Sequence, residues 1–583
     1  MKNISFVVVV LLVAVGLAAA EIKNKGWWQN AVFYQVYPRS LKDSNGDGIG
    51  DLKGITSKLQ HFNSTGITAI WLSPINKSPM NDFGYDISDF RDVDPLFGTL
   101  QDLQDLLAEA HKIGLKVILD LVPNHTSNEH SWFKASSLNT TSNAKKYADY
   151  YIWVNGTGVN MTSPPNNWVS VFNGSAWTYN EKRKQFYFHQ FLNTQPDLNY
   201  RNPAVKEEMK DIMKFWLDKG IDGFRIDAVP HLFELKDTTK SEPKLDHVDP
   251  SLNKTHHAYY NHIYTKDQNE TYDLVRSWRK FVDEYAEKNN RDEIVLLTEA
   301  YTSLSNTIKY YNYGSHVPFN FKFITDADAN SNATQLKNVI DSWIKQMPQG
   351  SVANWVMGNH DRVRLGSRYP GRADQMIMLE MILPGVAVTY YGEEIGMVDI
   401  PGPIIYDTRD GCRSPFQWDN TTSAGFSNNK TTWLPVNQNY KNVNLQKEKE
   451  EKNSPYHLYT KLIDLRKSHT LKHGSLVTKD LSKNVLAVLR ETETETVSLL
   501  INTSENKTLV NLAQLGSTKV NEKPTKVQLG STNFDQAPGT SVDNLKIELP
   551  GHAAVILISS GASLAGYSVI SLLFAVLFSL FPW

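Results

Sequence analysis

The sequence predicts an α/β fold. It is a (β/α)8 barrel of the TIM type, with an irregular domain inserted after the third strand and a C-terminal antiparallel β-sandwich domain. Three observations predict it. Four passages each run from an apolar pattern at helical spacing into a short β-branched strand. Polar residues close those strands at their carboxyl ends. From about residue 475 the helical passages stop and short strands follow one another.

The chain opens MKNISFVVVVLLVAVGLAAA, with Lys2, an apolar run and small residues up to Ala20. That is the pattern of a cleaved signal peptide over 1–20, and the run is short for ~30 Å of hydrocarbon. The density of N-x-S/T sequons, among them Asn63, Asn155, Asn173, Asn332, Asn420 and Asn502, supports passage through the secretory pathway.

The four repeated passages are 99–122, TLQDLQDLLAEAHKIG into LKVILDLV, then 204–228, 271–300 and 372–391. Gly114 and Gly220 stand where a helix should stop. The strands are apolar and β-branched, as strands buried on both faces are. Such alternation fits either a closed barrel or an open parallel sheet. The strand ends choose between them. Asp120 with Asn124 and His125, Arg225 with Asp227, Glu299, and His360 with Asp361 all fall at carboxyl ends. A barrel brings those ends to one face, whereas an open sheet spreads them along a crevice. Polar groups that repeatedly close buried strands are costly unless they serve a site or are paired. The barrel is therefore expected over 21–124 and 196–474.

Residues 125–195, rich in Asn, Thr, Ser, Gly and aromatics, interrupt the rhythm and read as the inserted domain, with strands in FNGSAWTYN and RKQFYFHQF. Residues 475–558 hold VLAVLRETE, TVSLLIN and HAAVILIS, an all-β domain. Residues 559–583 end apolar and uncharged. Ser559, Ser560, Gly561 and Ala562 are small, as a GPI-type attachment signal requires, and a membrane partner through that anchor is expected.

A net charge of −2 gives no basic surface for nucleic acid. One cysteine, Cys412, excludes an intrachain disulfide framework and a Cys-cluster metal site, and reads as a buried unreactive thiol. The 14 Trp, 26 Tyr and 24 Phe are mostly core, but such flat faces also line carbohydrate sites.

Three carboxylates without a metal cluster suit acid/base and nucleophilic work. Glycoside hydrolysis needs one carboxylic acid to protonate the leaving oxygen and one carboxylate facing the anomeric carbon. Arg225 lies two residues before Asp227, so both side chains point to one side of the strand, where a guanidinium would hold the carboxylate ionised and aimed. Glu299 follows the apolar run VLLT, where burial would favour its neutral form. Asp361, beside His360, suits gripping sugar hydroxyls. Spacing alone does not assign these roles.

The runs DLVPNH (120–125), GFRIDAV (223–229), TEA (298–300) and GNHD (358–361) resemble the ordered motifs of the α-amylase family of glycoside hydrolases. QPDLN (195–199) resembles the marker of its oligo-1,6-glucosidase and α-glucosidase branch. NDFGYD (81–86), YYGEE (390–394) and RSPFQW (413–418) also fit, and with the secretory ends the chain is most similar to insect maltases.

The resemblance implies Asp227 as nucleophile, Glu299 as acid/base and Asp361 as transition-state stabiliser. It implies that Asp82, Tyr85, His125, Arg225 and His360 hold the scissile glucose, with Arg409 a further clamp near Asp82. The implied activity is that of a retaining exo-acting α-glucosidase on maltose, maltooligosaccharides and sucrose, with transglucosylation. Ala228, a small residue after the nucleophile, accompanies α-1,4 preference in the family, where Val accompanies α-1,6. Two other readings are an endo-acting α-amylase and a membrane-tethered binding or receptor protein on an amylase-like scaffold. QPDLN and the insertion argue for a blocked, exo-type pocket. The heavy chains of amino-acid transporters share the scaffold but lack the full catalytic set, which is present here.

Asn124-His125-Thr126 is formally a sequon, expected unmodified because the strand end is buried. The loop DSNGDGIGD presents Asp43, Asn45, Asp47 and Asp51 with turn-forming glycines, like the first half of an EF-hand loop, but Gly54 stands where an EF-hand needs a bidentate Glu. Related α-glucosidases carry Ca²⁺ in the matching loop with the carbonyl of the Ile49 position as a further ligand. The resemblance implies a structural Ca²⁺ here and no organic cofactor.

Overall fold

The computed structural model describes residues 21–138 and 142–560. Residues 1–20, where a signal peptide is expected, and the tail beyond Ser560 lie outside the described residues. Among the described residues no helix is long and apolar enough to cross a membrane.

The fold class is the expected one. Eight strands, β1 (Val32–Val36), β2 (Ala69–Leu72), β3 (Lys116–Leu121), β4 (Gly223–Ile226), β5 (Val295–Thr298), β6 (Val317–Pro318), β7 (Asn354–Val356) and β8 (Val386–Tyr390), belong to one sheet. Its neighbour order is β6-β5-β4-β3-β2-β1-β8-β7, which is chain order once β7 and β8 are read before β1, as in a (β/α)8 barrel.

The described chain divides into two compact units. The first holds Ala69–Phe319, with Ala31 and the residues before it and Pro348–Ser351. Its strands pair in parallel register, which sets Arg225 directly opposite Asp120 and Leu297. Gly220 ends a helix where the sequence marked a stop, and the other helix bounds are set by caps that the structure shows. Helix α1 (Leu100–Lys112) opens on a capping box between Thr99 and Asp102, and its Leu103, Leu106, Leu107 and Ala110 form one buried stripe. Helix α2 (Pro203–Lys219) starts on an Asn202 cap and Pro203, and stops at Gly220, whose φ of +112° suits glycine. Helix α3 (Asn269–Lys288) delivers the chain to β5. Within the insertion, Trp153–Val154, Gln185–Phe188 and Trp177–Asn180 form a small antiparallel sheet. It closes over its own core of Ile152, Trp168, Ala176, Trp177, Phe186 and Phe188.

The second unit holds Val32–Thr68, Asn320–Met347 and the chain from Val352 onward. In it β8 pairs with β1 and β7. Helix α4 (Ala373–Ile382) is buried at every position from Gln375 to Ile382, which explains why its sequence shows no polar face. The C-terminal part is an antiparallel sheet of β9 (Ser475–Ser482), β10 (Val485–Glu491), β11 (Glu495–Asn502), β12 (Thr525–Gly530) and β13 (Ala554–Ser560), in the order β9-β10-β11-β13-β12. A two-stranded sheet, Thr508–Asn511 with Lys546–Leu549, shares its apolar core. The sandwich thus has one broad layer and one narrow one. Strand β13 runs two residues past the expected start of the tail. Ser559 is buried, with its Oγ 2.6 Å from Thr525 Oγ1, so the sheet keeps both serines.

Candidate active site

In the first unit the strand ends converge on Arg225. Its Nη1 donates to Asp227 Oδ1 at 2.5 Å and to Asp120 Oδ1 at 2.9 Å, while Nη2 lies 3.5 Å from Glu299 Oε1. The Arg225 guanidinium also lies over the Trp71 ring, 5.1 Å from its centroid. Burial works against the Arg225 charge, but Asp120, Asp227 and Glu299 together outweigh it and hold the group protonated. Asp120 accepts from Trp71 Nε1 at 3.2 Å and Tyr85 OH at 3.1 Å as well. Burial pushes its carboxyl up to about 6, against the pull of Arg225.

Backbone bonds fix the two catalytic candidates. The Asp227 N–H donates to Leu121 O at 2.9 Å, and the Glu299 N–H to Ile226 O at 3.0 Å. The next residue, Ala228, sits at φ +50°, ψ +34°, which turns its N–H onto Glu299 Oε2 at 2.7 Å. Glu299 is buried, as the apolar run VLLT implied, but beside a cation and a backbone donor rather than in a purely apolar setting.

Tyr85, Asp82 and His125 gather in the same unit. Asp86, fully buried, accepts from the Asn81 and Asp82 N–H groups, each at 3.0 Å, and so folds the NDFGYD turn. Gln195 Nε2 donates to Asp82 Oδ2 at 3.1 Å and lies 3.2 Å from His125 Nε2. His125 Nε2 faces Tyr85 O at 2.9 Å, and burial lowers the imidazole to about 4, so it stands neutral. Asn124 and Thr126 are buried, as expected of this strand end.

In the second unit, His360 and Asp361 follow β7. Gln35 Nε2 lies 2.8 Å from His360 Nδ1, Tyr37 stacks on the His360 ring at 5.9 Å, and His360 Nε2 is 3.5 Å from Asp361 Oδ2. Asp361 Oδ1 accepts from Arg413 Nη2 at 3.0 Å and Arg409 Nη1 at 3.3 Å. Arg409 is itself held by Asp407. Arg413 Nε also donates to His360 O at 2.7 Å. Cys412 is buried and its thiol is pushed up to about 12 by burial, the inert thiol expected.

The loop 43–51 also lies in this unit. The Asp43 carboxylate accepts from the N–H groups of Asn45, Gly46 and Gly48 and from Ser427 Oγ. Asp47 Oδ1 accepts from the Ile49 N–H, and Asp51 from Ser44 and Gly54. The candidate ligand atoms are all oxygen, with Asp43 and Asp51 buried. Among the described residues no group of three or more Asp, Glu, His or Cys side chains is arranged to hold a metal ion, so a cation here would also need Asn45 Oδ1 and the Ile49 carbonyl.

Sequence reasoning missed Trp71 and Gln35, and quoted Asp86, Gln195 and Arg413 only as parts of motifs. Gln35 and Arg413 are 325 and 53 residues from His360 in the chain, and only the fold joins them. A polar Gln inside the strand VFYQV was the signal available for Gln35.

The fold and the proteins it resembles are those of glycoside hydrolases. A family model described as alpha amylase, catalytic domain, matches residues 35–474, and the chain belongs to the α-amylase family. Maltase 1 of Drosophila virilis is 49% identical over 511 residues, 83% of this chain and 79% of that protein. Alpha-glucosidase of Apis mellifera is 44% identical over 582 residues, 96% of this chain and 100% of that protein. Among solved structures, the alpha-glucosyl transfer enzyme XgtA matches with a TM-score of 0.79 at 33% identity, over 91% of this chain and 99% of that one.

Proposed function

We infer that the chain is a retaining, exo-acting α-glucosidase that removes terminal α-1,4-linked glucose from maltose, maltooligosaccharides and sucrose. The observation that carries this reading is the single buried guanidinium of Arg225 in contact with Asp120, Asp227 and Glu299. It keeps a nucleophilic carboxylate charged and fixed beside an acid. The similarity to proteins named Maltase 1 and Alpha-glucosidase supports the substrate class.

Asp227 attacks the anomeric carbon while Glu299 gives its proton to the leaving glycosidic oxygen. The C–O bond to the leaving sugar breaks and a β-glucosyl ester of Asp227 forms. Glu299, now a carboxylate, takes a proton from water, whose oxygen displaces Asp227 and releases α-glucose. A sugar hydroxyl in place of water gives transglucosylation. The family resemblance assigns Asp361 to the positive charge that develops on the ring, and Asp82, Tyr85, His125, Arg225, His360 and Arg409 to binding the glucose. Neutral His125 serves as a hydrogen-bonding group and not as a competing cation.

Three further parts belong to this reading. The catalytic barrel spans 21–124 and 196–474, with the insertion over 125–195. The protein enters the secretory pathway through 1–20 and is tethered by a GPI-type anchor, and the names of salivary relatives from Anopheles gambiae and Aedes aegypti support secretion. A structural Ca²⁺ is held by Asp43, Asn45, Asp47, Asp51 and the Ile49 carbonyl; the all-oxygen donor set suits that hard cation. It stiffens the loop and takes no part in the bond-making steps.

Digestion of maltotetraose tests the central reading. An exo-acting enzyme releases glucose and maltotriose first, and Asp227→Asn abolishes the release. Maltose as the first product would contradict it.

A further inference from the structure

The first unit holds a partly buried cation that the catalytic scheme leaves unused. Lys266 stands three residues before helix α3, at the end of the loop that leaves β4. Its ammonium donates to the Tyr301 carbonyl at 2.5 Å. The next residue, Asp267, is bonded on two sides. Its N–H donates to Pro230 O at 2.8 Å, and its Oδ2 accepts from Thr302 Oγ1 at 2.6 Å. Pro230 follows Asp227 by three residues, and Tyr301 and Thr302 follow Glu299 by two and three. Two adjacent residues thus pin the turn after the nucleophile to the turn after the acid/base.

This brace is itself held. The Thr265 N–H and Oγ1 donate to the buried Glu242 carboxylate at 2.9 and 3.0 Å, and Gln190 Nε2 donates to Thr265 O at 2.7 Å. A neutral amide or hydroxyl would satisfy the Tyr301 carbonyl at a lower desolvation cost than an ammonium. The charge is explained by the carboxylates it faces. Burial lowers the Lys266 pKa, and Asp267 and Glu299 oppose that. Two residues of chain span at most about 7 Å, so the Tyr301 carbonyl keeps the ammonium close to the Glu299 backbone. Charges so close interact strongly where water is excluded. The other charged groups facing Glu299 are Arg225, with Nη2 at 3.5 Å, and Asp120. His231, His257 and His262 also face Lys266, and burial lowers all three imidazoles, so they stand neutral at pH 7.

We propose that Lys266 is a positioning residue for the acid/base: it braces the Glu299 turn against the Asp227 turn and lends its positive charge to the Glu299 carboxylate. This rests on reading Glu299 as the acid/base of an α-glucosidase. It makes a residue from the loop before α3 a determinant of the pH range in which the enzyme works.

The test follows kcat/KM for maltose against pH in the full chain, Lys266→Gln, Lys266→Met and Lys266→Arg. The basic limb reports the loss of the proton from the acid in the free enzyme. Removing a cation disfavours the Glu299 carboxylate, so the proton stays on to higher pH. Lys266→Gln, which keeps a donor for the Tyr301 carbonyl, and Lys266→Met both move the basic limb up by about half a pH unit or more. Lys266→Arg keeps the wild-type limb. A purely structural brace lowers kcat/KM at every pH and leaves the limb in place. That result in either uncharged variant, or a limb that moves down, overturns the proposal while leaving the α-glucosidase reading intact. A Glu299→Gln variant with wild-type turnover of maltose overturns the acid/base reading and the proposal with it.

Discussion

Arg225 Nη1 reaches Asp227 Oδ1 at 2.5 Å while the same nitrogen serves Asp120 at 2.9 Å. One nitrogen therefore ties the candidate nucleophile to a second buried carboxylate, and Nη2 extends the link toward Glu299. Lysine carries the same charge but not the planar fork that faces several oxygens at once. Arg225→Lys is expected to fold and to lose about a hundredfold or more in kcat on maltose, a loss of electrostatic positioning. Steady-state kinetics beside a thermal unfolding curve check this.

Ala228 makes a second prediction. Its φ of +50° lies in the left-handed region, where a β-branched side chain is a genuine outlier. Ala228→Val is expected to cost about 1–3 kcal/mol of stability. It also moves the Ala228 N–H from Glu299 Oε2, so kcat on maltose falls and the maltose-to-isomaltose ratio falls with it. Ala228→Gly accepts the same backbone and stays close to wild type in stability. Urea unfolding and paired assays on the two disaccharides check both variants.

The helix–strand units were legible because each signal is local. The stop at Gly220 and the apolar run VLLT each lie within one element. The alternation of side chains along β4 put Arg225 and Asp227 on one side, and the structure joins them. What was not legible is what topology assembles. Gln35 meets His360 across 325 residues, and Arg413 reaches Asp361 from a separate segment. The left-handed backbone of Ala228 has no signature in its residue type, since alanine is the usual helix former and not a turn residue. The fold class could thus be named from sequence, while the groups that contact Asp227, Glu299 and Asp361 required the fold.

The loop 43–51 gives a third prediction. If Ca²⁺ binds the folded chain alone, removing it lowers stability, and free Ca²⁺ at 100 times its Kd restores about 2.7 kcal/mol. Dialysis against a chelator is expected to lower the thermal midpoint and added Ca²⁺ to restore it, with Asp43→Asn insensitive to both. Metal content by mass spectrometry gives a readout independent of activity. Absence of Ca²⁺ from purified protein, with a midpoint indifferent to chelation, ends the proposal.

Glu448 supplies a prediction in pH. It is buried, and burial pushes its carboxyl up from 4.5 to about 8, with the Tyr456 N–H opposing. The unfolded chain gives up this proton first, so the stability that Glu448 contributes in acid is lost as pH rises through about 8. Glu448→Gln has no proton to lose. The thermal midpoint of the variant minus that of the wild type is therefore expected to become more positive between about pH 5 and pH 9. A difference that stays level across that range contradicts the assignment.

The central claim is double displacement through Asp227, and the configuration of the first product tests it most directly. Maltose hydrolysis followed by proton NMR, before mutarotation, is expected to show α-glucose released first by the wild type and no release by Asp227→Asn or Glu299→Gln. Initial release of β-glucose by the wild type would contradict the account.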